Sequence, residues 1–201
     1  MIRSMFRFLE SISIIDGEVQ RLAGHQRRVN HTLDTFYKGT SINLQDAIHA
    51  QRGGGNGTVK CRVLYDGDGC AVHFSNYKPR EIKTLQIIEN NDISYAFKFA
   101  NREVIEAAFD QRANCDDILI VKNGKITDSS IANIAFQKDG QWFTPREPLL
   151  KGTMRQYLIE HGMLRHAEIT VENLSSFSAF KLINALLAFD SPEYPVSNIH
   201  F

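Results

Sequence analysis

The hydrophobic and polar positions of residues 1–88 predict a small α+β unit. Apolar residues recur at helical spacing over residues 22–37 and again over 43–51, which predicts two helices. Alternating and β-branched stretches predict five strands, at residues 5–15, 18–20, 58–65, 70–74 and 84–88. Asp16-Gly17 is a typical hairpin turn between the first two. We therefore expect two helices packed on an antiparallel sheet.

The longer of these helices is predicted to have one apolar face. The residues on that face are Leu22, Val29, Leu33 and Phe36. We place His25, Arg28 and His31 away from it. The spacing thus assigns the apolar residues to the core and the basic ones to other faces.

Residues 89–201 predict a larger and more strand-rich unit. Two hairpins stand at its centre, one turning at Asn123-Gly124 and one at Asp139-Gly140, and the small-residue stretch from Thr127 to Asn133 lies between them. Helices are predicted at residues 101–111 and 154–161, and strands at 93–98, 118–121, 134–136, 141–144, 167–171 and 179–187, with a closing segment at 194–199. The predicted domains are residues 1–88 and 89–201.

Composition and charge limit the functions that this chain can have. Its 201 residues are 43% hydrophobic and 23% charged, as in globular proteins. The formal net charge is zero, which argues against a nucleic-acid binder that depends on overall charge. No apolar run approaches the ~18–20 residues of a membrane span, and no Cys, His or Asp set has metal-ligand spacing. We expect a cytoplasmic protein with a small-molecule substrate and no metal, nucleic-acid or membrane partner.

Two features of the second region suggest an anion site beside a cationic group. Asp128 lies among small residues at a predicted strand end, where a carboxylate can approach a bound group. Gly152-Thr153-Met154 begins a predicted helix, whose first amides and positive dipole end attract an anion. Each feature alone is more typical of a solvated turn or an ordinary helix start. Together they fit a cofactor phosphate and a nearby cationic ring.

Lys98 is the third candidate. It stands in the aromatic stretch from Tyr95 to Phe99, just before a predicted helix. An ordinary lysine at a strand end reaches water with its ammonium group. The alternative is a partly desolvated lysine whose lowered pKa makes its amine a nucleophile. A nucleophilic lysine, a carboxylate for a ring nitrogen and a helix-start phosphate site are together the requirements of pyridoxal phosphate.

These residues resemble the class IV aminotransferase family. The matching pattern is Lys98, then Asp128-Ser129-Ser130-Ile131-Ala132-Asn133, then Trp142-Phe143-Thr144-Pro145, then Gly152-Thr153-Met154-Arg155. Leu9-Glu10-Ser11, Asp16-Gly17 and His25-Gln26-Arg27-Arg28 are similar to the family's amino-terminal motifs. The resemblance implies fold-type IV: a D-amino-acid-aminotransferase-like α+β fold with a small amino-terminal domain and a larger, β-rich cofactor-binding domain.

The resemblance also implies roles for single residues. Lys98 would bind pyridoxal phosphate covalently and then move protons on the substrate. Asp128 falls where the family has a glutamate that pairs with the pyridine nitrogen, and it is one methylene shorter. The residues implied for the cofactor phosphate are Arg28, Asn184 and the amides of Thr153 and Met154. His25 belongs to the same motif as Arg28 and is expected to be structural.

Within the family, short matches favour an aminodeoxychorismate lyase. Gly-Thr-Met-Arg at 152–155, Lys-Phe-Ala-Asn-Arg at 98–102 and Asn-Ala-Leu at 184–186 resemble lyase motifs. Ser11 falls where the lyases have a threonine that assists the elimination, and Arg102 is a candidate for the substrate carboxylate or the cofactor's phenolic oxygen.

Two alternatives remain open at the level of sequence. One is an aminotransferase acting on a small branched-chain or D-amino acid, and the other is a non-catalytic scaffold that binds pyridoxal phosphate or has lost it. The replacement of glutamate by Asp128 and the short amino terminus motivate the second. The retention of Lys98 and Arg28 weighs against it. Because members of the family are commonly homodimers, we also expect a homodimer.

Overall fold

The computed structural model describes residues 6–50, 57–187 and 189–201. The chain forms two compact units. Of the described residues, the first contains those up to 79 together with 97–101, and the second contains those of 80–96 and 102–201. The sequence placed the division at residue 88, whereas here the chain enters the second unit at residue 80 and returns briefly to the first. Within the described part, no helix is long and apolar enough to span a membrane.

The first unit is an antiparallel four-stranded sheet with two helices. The strands are β1 (Phe8–Ile15), β2 (Glu18–Val19), β3 (Thr58–Asp66) and β4 (Gly69–Asn76), in the order β2-β1-β3-β4. The helices are α1 (Leu22–Phe36) and α2 (Leu44–His49), and Asn43 caps the latter by accepting amide hydrogen bonds from residues 45 and 46. These elements confirm the predicted strands and helices of this region, apart from the ends that lie outside the described residues.

The inner face of α1 differs from the prediction because two polar residues, His25 and Thr32, are buried, whereas Leu22 and Phe36 are only partly buried. Val29 and Leu33 are buried as expected, but His25 is fully buried beside them. The prediction that His25 lies away from the core was wrong because periodicity treats histidine as polar. Its imidazole has a buried partner on β1, so burial does not leave it without a hydrogen bond.

Residues 93–98 do not form the predicted strand. Ile93 and Tyr95 are buried, which produces the alternating pattern, but the segment has no ladder of strand pairing in the described structure. The chain passes here from one unit to the other. The Ile93 carbonyl accepts from Lys122 Nζ at 2.7 Å, and the Lys98 carbonyl accepts from the Leu9 amide at 2.9 Å. Residues 97–101 then lie along β1, with Phe8 and Phe99 forming an isolated bridge.

The second unit is built on a mixed nine-stranded sheet. Its strands are β5 (Leu85–Glu89), β6 (Asp117–Lys122), β7 (Lys125–Ser129), β8 (Asn133–Lys138), β9 (Gln141–Pro145), β10 (Arg165–Ala167), β11 (Ala179–Ile183), β12 (Tyr194–Pro195) and β13 (Ile199–His200). The order is β10-β9-β8-β7-β6-β5-β13, with β11 paired to β8 and β12. The predicted strand near residues 84–88 is therefore β5, and it belongs to this sheet.

Turn chemistry fixes the two central hairpins. Asn123 and Asp139 adopt φ of 51° each, and the glycine after each has φ of 72° and 73°. These left-handed pairs are the geometry that two-residue hairpin turns require. Both hairpins confirm the sequence prediction, as do α3 (Glu103–Phe109) and α4 (Thr153–Glu160). The predicted strand at 179–187 is shorter and ends before Asn184.

Candidate active site

The corner between β7 and β8 (residues 128–133, below "the corner") organises the polar groups of the second unit. Ser129 is the last residue of β7, and its hydroxyl accepts hydrogen bonds from the amides of Ile131 and Ala132 at 3.3 and 3.1 Å. A serine that binds amides two and three residues ahead forms a tight local turn. This turn explains why the small-residue stretch reverses direction between two buried strands.

Asp128 is buried in the corner with both oxygens engaged. Its Oδ1 accepts a hydrogen bond from Asn133 Nδ2 at 2.6 Å, and its Oδ2 accepts one from the Leu150 amide at 2.9 Å. Burial raises the pKa of Asp128 to about 6, although these hydrogen bonds and the charge of Arg155 act to lower it. The carboxylate is therefore held in one position, and its pKa lies above the ordinary value of an aspartate.

Asn133 joins the corner to the loop before α4. In addition to binding Asp128, its Nδ2 donates to the Leu150 carbonyl at 2.8 Å. A Cβ added to Gly152 would lie only 2.0 Å from Asn133 Oδ1, so this residue must be glycine for the loop to approach the corner. The contact fixes the start of α4, where Thr153 and Met154 are the first two residues.

The first turn of α4 has features of an anion-binding helix start. Gly152 is the residue before the helix, and among the described residues no side chain caps this end of α4. No acidic residue lies in its first turn. The first amides of a helix have no carbonyl partner within the helix, and the dipole favours a negative charge there.

Arg155 is a buried cation that joins α4 to β9. Its guanidinium donates to the Pro145 carbonyl at 2.8 Å and to the Thr144 hydroxyl at 3.3 Å. It also lies 3.1 Å from His166 Nδ1, and burial together with the Arg155 charge lowers the pKa of His166. The neutral histidine can then accept a hydrogen bond from the arginine.

Arg102 and Asn184 contact the backbone of the corner. Arg102 donates to the Ser130 carbonyl at 2.6 Å, and its guanidinium lies 5.9 Å from the centre of the Tyr95 ring. Asn184 Nδ2 donates to the Ile131 carbonyl at 3.4 Å. The second unit thus brings the predicted residues Asp128, Thr153, Met154, Arg102 and Asn184 around one corner and one helix start.

In the first unit, Arg28 is part of a buried charged cluster. Its Nε donates to Glu10 Oε1 at 2.8 Å, and its Nη2 pairs with Glu10 Oε2. His25 Nδ1 lies 2.6 Å from the same Oε2. Glu10 and His25 are fully buried, whereas the Arg28 side chain keeps 15% of its surface exposed.

The pKa values of this cluster follow from its geometry. Burial would raise the pKa of Glu10, but the Arg28 charge and the hydrogen bonds from His25 and Arg28 outweigh it and lower that pKa to about 2. Burial lowers the pKa of His25 despite the adjacent carboxylate. At neutral pH the cluster therefore contains an ionised Glu10, a charged Arg28 and a neutral His25.

Lys98 and Ser11 also belong to the first unit and lie near β1. The Leu9 amide donates to the Lys98 carbonyl at 2.9 Å, and the Ala100 amide donates to the Arg7 carbonyl at 2.8 Å. Phe97 and Phe99, on either side of the half-buried Lys98, pack on Phe8 and Phe36. These contacts fix the position of the Lys98 backbone beside β1.

Ser11 is half-buried on β1 and follows Glu10 directly. Successive strand residues point to opposite faces, so Ser11 and Glu10 face opposite ways. The first unit therefore does not bring Ser11 to the face of Glu10 and Arg28.

The sequence did not predict the buried contacts of two polar residues, Glu10 and Asn133. Glu10 was only part of a motif, although an acid inside a predicted apolar strand is a recognisable signal of a buried cationic partner. Asn133 was seen as the end of the corner, and nothing local indicated that it would bind Asp128 and the loop before α4. The latter contact joins residues 17 positions apart.

Comparisons with known proteins agree with this description. The model of the family described as amino-transferase class IV matches residues 7–197. A Haemophilus influenzae protein of uncharacterised function is 33% identical over 185 residues, covering 90% of this chain and 98% of its own. A crystal structure of a candidate 4-amino-4-deoxychorismate lyase from Haemophilus somnus has a TM-score of 0.84 and 31% identity, covering 90% of this chain and 97% of its own.

The branched-chain amino acid aminotransferase of Escherichia coli has the same fold at lower identity. Its TM-score is 0.70 at 19% identity, covering 96% of this chain and 76% of its own. This likeness confirms the fold-type IV α+β architecture expected from the sequence. On the match across residues 7–197 and the relatives of similar length, the chain belongs to the class IV aminotransferase family of pyridoxal-phosphate-dependent enzymes.

Proposed function

We propose that this enzyme is a lyase that converts 4-amino-4-deoxychorismate into 4-aminobenzoate and pyruvate, a cytoplasmic step of folate biosynthesis. The observation that carries the proposal is the likeness, over nearly the full length of both chains, to the candidate lyase of Haemophilus somnus. The matches at residues 152–155 and 184–186 support the same choice.

The residues at the corner suit pyridoxal phosphate. When bound, this cofactor supplies a protonated ring that withdraws electrons from the substrate carbon. A carboxylate can accept about four hydrogen bonds, so Asp128 can accept a ring N–H in addition to its bonds from Asn133 and Leu150. The anion-binding character of the α4 start suits the phosphate, as does the Arg28 guanidinium.

Lys98 and Ser11 would carry the proton transfers. Lys98 would attach to the cofactor through its ε-amine and, once displaced by the substrate amine, remove the proton from C4. The C3–O bond would then break, the ring would become aromatic, and the released enolpyruvyl group would take up a proton to give pyruvate. The Ser11 hydroxyl would assist that departure by donating a hydrogen bond to the leaving oxygen. The Lys98 amine would displace the amine of 4-aminobenzoate, which releases the second product.

Four further residues would hold the ligands. Thr153 and Met154 would bind the phosphate through their amides, and Asn184 would bind it through its side chain. Asn184 already contacts the corner, which supports a place near the cofactor. Arg102 would bind the substrate carboxylate or the cofactor's phenolic oxygen, since its guanidinium is held at the Ser130 carbonyl.

The experiment is an absorbance spectrum of the purified protein with pyridoxal phosphate, followed by addition of 4-amino-4-deoxychorismate. Release of 4-aminobenzoate, measured by its fluorescence, with a matching amount of pyruvate supports the lyase. Cofactor binding without 4-aminobenzoate release would exclude it. A protein in which Lys98 is alanine serves as the control for uncatalysed breakdown of the substrate.

The second candidate is an aminotransferase for a small branched-chain or D-amino acid. It is favoured by the shared fold, because fold-type IV supports transamination as well as elimination. A shift of the cofactor band with amino acids, and transfer of the amino group to a keto acid, would identify it. A cofactor-binding protein without turnover would give the band but neither reaction.

We also propose that the enzyme is a homodimer, as members of the family commonly are. Light scattering on the protein as it elutes from a size-exclusion column measures the mass directly. A mass near twice 22.8 kDa is expected, and a mass near 22.8 kDa at working concentration would contradict the dimer.

A further inference from the structure

Glu10 is an acidic residue at a fully buried position of the first unit. Its side chain is fully buried on β1, as is that of His25 on α1. A buried carboxylate is destabilising unless it is paired and hydrogen-bonded. Both its oxygens are bonded here, Oε1 to Arg28 and Oε2 to Arg28 and His25. This pairing stabilises the charge but also restricts Arg28 strongly.

The contacts with Glu10 fix the orientation of the Arg28 guanidinium. Glu10 binds the edge of the guanidinium that carries Nε and Nη2. A guanidinium has five N–H donors in one plane, and phosphate is commonly bound in a bidentate manner by an edge of that plane. Fixing one edge on a buried carboxylate therefore fixes the orientation of the edge formed by the two Nη atoms. The Arg28 side chain keeps 15% of its surface exposed, whereas the Glu10 side chain is fully buried.

An arginine that is ordered before its ligand arrives binds more tightly. An arginine side chain loses rotamer entropy when it is immobilised. In this cluster the loss accompanies folding, because Glu10 already holds the guanidinium. His25 holds Glu10 in turn, donating from Nδ1 at 2.6 Å. His25 thus contacts Glu10, and Glu10 contacts Arg28.

We propose that Glu10 is a positioning residue that orients the Arg28 guanidinium for the phosphate group of pyridoxal phosphate, and that His25 fixes Glu10 in that orientation. This inference rests on the proposed function, since it requires that Arg28 bind the cofactor phosphate. Neither Glu10 nor His25 touches the cofactor in this arrangement. Their effect on binding passes through Arg28.

The test compares the dissociation constants of pyridoxal and pyridoxal phosphate, which differ only in the phosphate. The dissociation constant of pyridoxal divided by that of pyridoxal phosphate (below "the ratio") isolates the phosphate contribution from attachment at Lys98. Glu10→Asp keeps the charge but withdraws the carboxylate by one methylene, and it is expected to reduce the ratio about tenfold, as for one misaligned charge-assisted hydrogen bond. Glu10→Gln keeps the reach and one acceptor, and it is expected to reduce the ratio less.

A double-mutant cycle tests whether the effect passes through Arg28. Arg28→Gln is expected to reduce the ratio, and Glu10→Asp is expected to reduce it no further in that background. His25→Asn, whose Nδ2 replaces the donor at Nδ1, is expected to retain most of the ratio, whereas His25→Leu is expected to lose it. The control is Asp66→Asn, which removes a partly exposed ion pair to Arg7 in the same unit and leaves the ratio unchanged.

The outcomes separate this inference from the proposed function. If the wild type binds both compounds equally, the assignment of pyridoxal phosphate to Arg28 fails and this inference fails with it. If Arg28→Gln lowers the ratio while both Glu10 variants leave it unchanged, Glu10 is purely structural and only the inference is overturned. Circular dichroism and thermal unfolding identify any variant that is not folded, and the ratio is measured on the folded variants.

Discussion

Asp128 accepts a hydrogen bond from the backbone amide of Leu150 at 2.9 Å. This bond joins the corner to the loop that leads into α4, 22 residues further along the chain. The loop supplies a backbone donor within reach of the short aspartate side chain. The residue therefore has a structural partner as well as the catalytic role that we propose for it. Its substitution is expected to affect both.

Asp128→Asn should lower turnover by about two orders of magnitude or more, the scale of losing one well-placed charged group in an active site. The asparagine keeps one oxygen that can accept from the Leu150 amide, but it loses the acceptor for Asn133 Nδ2, and the ring nitrogen loses its anionic partner. The measurement is kcat for 4-aminobenzoate release at saturating pyridoxal phosphate. Asp128→Glu, which keeps the carboxylate on a longer side chain, is the matched variant and should retain more activity than Asp128→Asn. Equal turnover in the wild type and Asp128→Asn would exclude Asp128 as the ring partner.

The stability of the apo protein should depend on pH through Asp128. Its pKa in the folded protein is about 6 against an ordinary value of 3.8, so the folded state binds this proton more tightly than the unfolded state. Its stabilising contribution is full below about pH 4 and is lost as the pH rises towards 6, by up to about 3 kcal/mol at 1.36 kcal/mol per pKa unit.

Urea unfolding of the apo wild type and of Asp128→Asn at pH 4, 5, 6 and 7 measures this contribution. The asparagine does not titrate, so the wild type should lose stability relative to the variant across this range. The lowered pKa of Glu10 acts in both proteins and cancels. A stability difference that stays constant with pH would show that Asp128 has an ordinary pKa.

Gly152→Ala should weaken the start of α4. The added Cβ would lie 2.0 Å from Asn133 Oδ1, which neither residue can accommodate without moving. We expect a loss of about 1–3 kcal/mol of unfolding free energy, as for overpacking in a core, and weaker binding of pyridoxal phosphate.

Thermal unfolding and cofactor titration measure both effects of Gly152→Ala. The adjacent Lys151→Ala, at an exposed residue, is the control and should change neither. Changing Asn133 to alanine in the Gly152→Ala background removes the clash and should recover part of the stability. Unaltered stability of Gly152→Ala alone would mean that the loop and the corner are not in close contact.

Lys98→Ala should abolish covalent attachment of the cofactor while leaving the fold intact, because the backbone contacts of residue 98 to β1 remain. Borohydride reduction followed by mass spectrometry detects the attached cofactor in the wild type. Lys125→Ala, which removes a partly exposed ion pair to Glu168, is the control and should be labelled like the wild type. Labelling of the Lys98→Ala protein at a single other lysine would identify that lysine as the nucleophile instead.

The sequence by itself determined the local elements and the family. Asn123-Gly124 and Asp139-Gly140 predicted two hairpins because so few residue pairs adopt the required left-handed turn. The spacing of Val29 and Leu33 predicted the buried face of α1. The motif residues from Lys98 to Arg155 identified the family, since chemistry restricts their types and order.

Only the tertiary structure decided which polar groups meet. His25 is polar by periodicity, but a carboxylate on another element makes its burial favourable. Ile93 and Tyr95 alternate like strand residues, yet the segment passes between units and pairs with no strand ladder in the described structure. The pairing of Asp128 with Leu150 joins distant parts of the chain. Local pattern cannot encode such contacts, because their free energy depends on partners that only folding brings within hydrogen-bond distance.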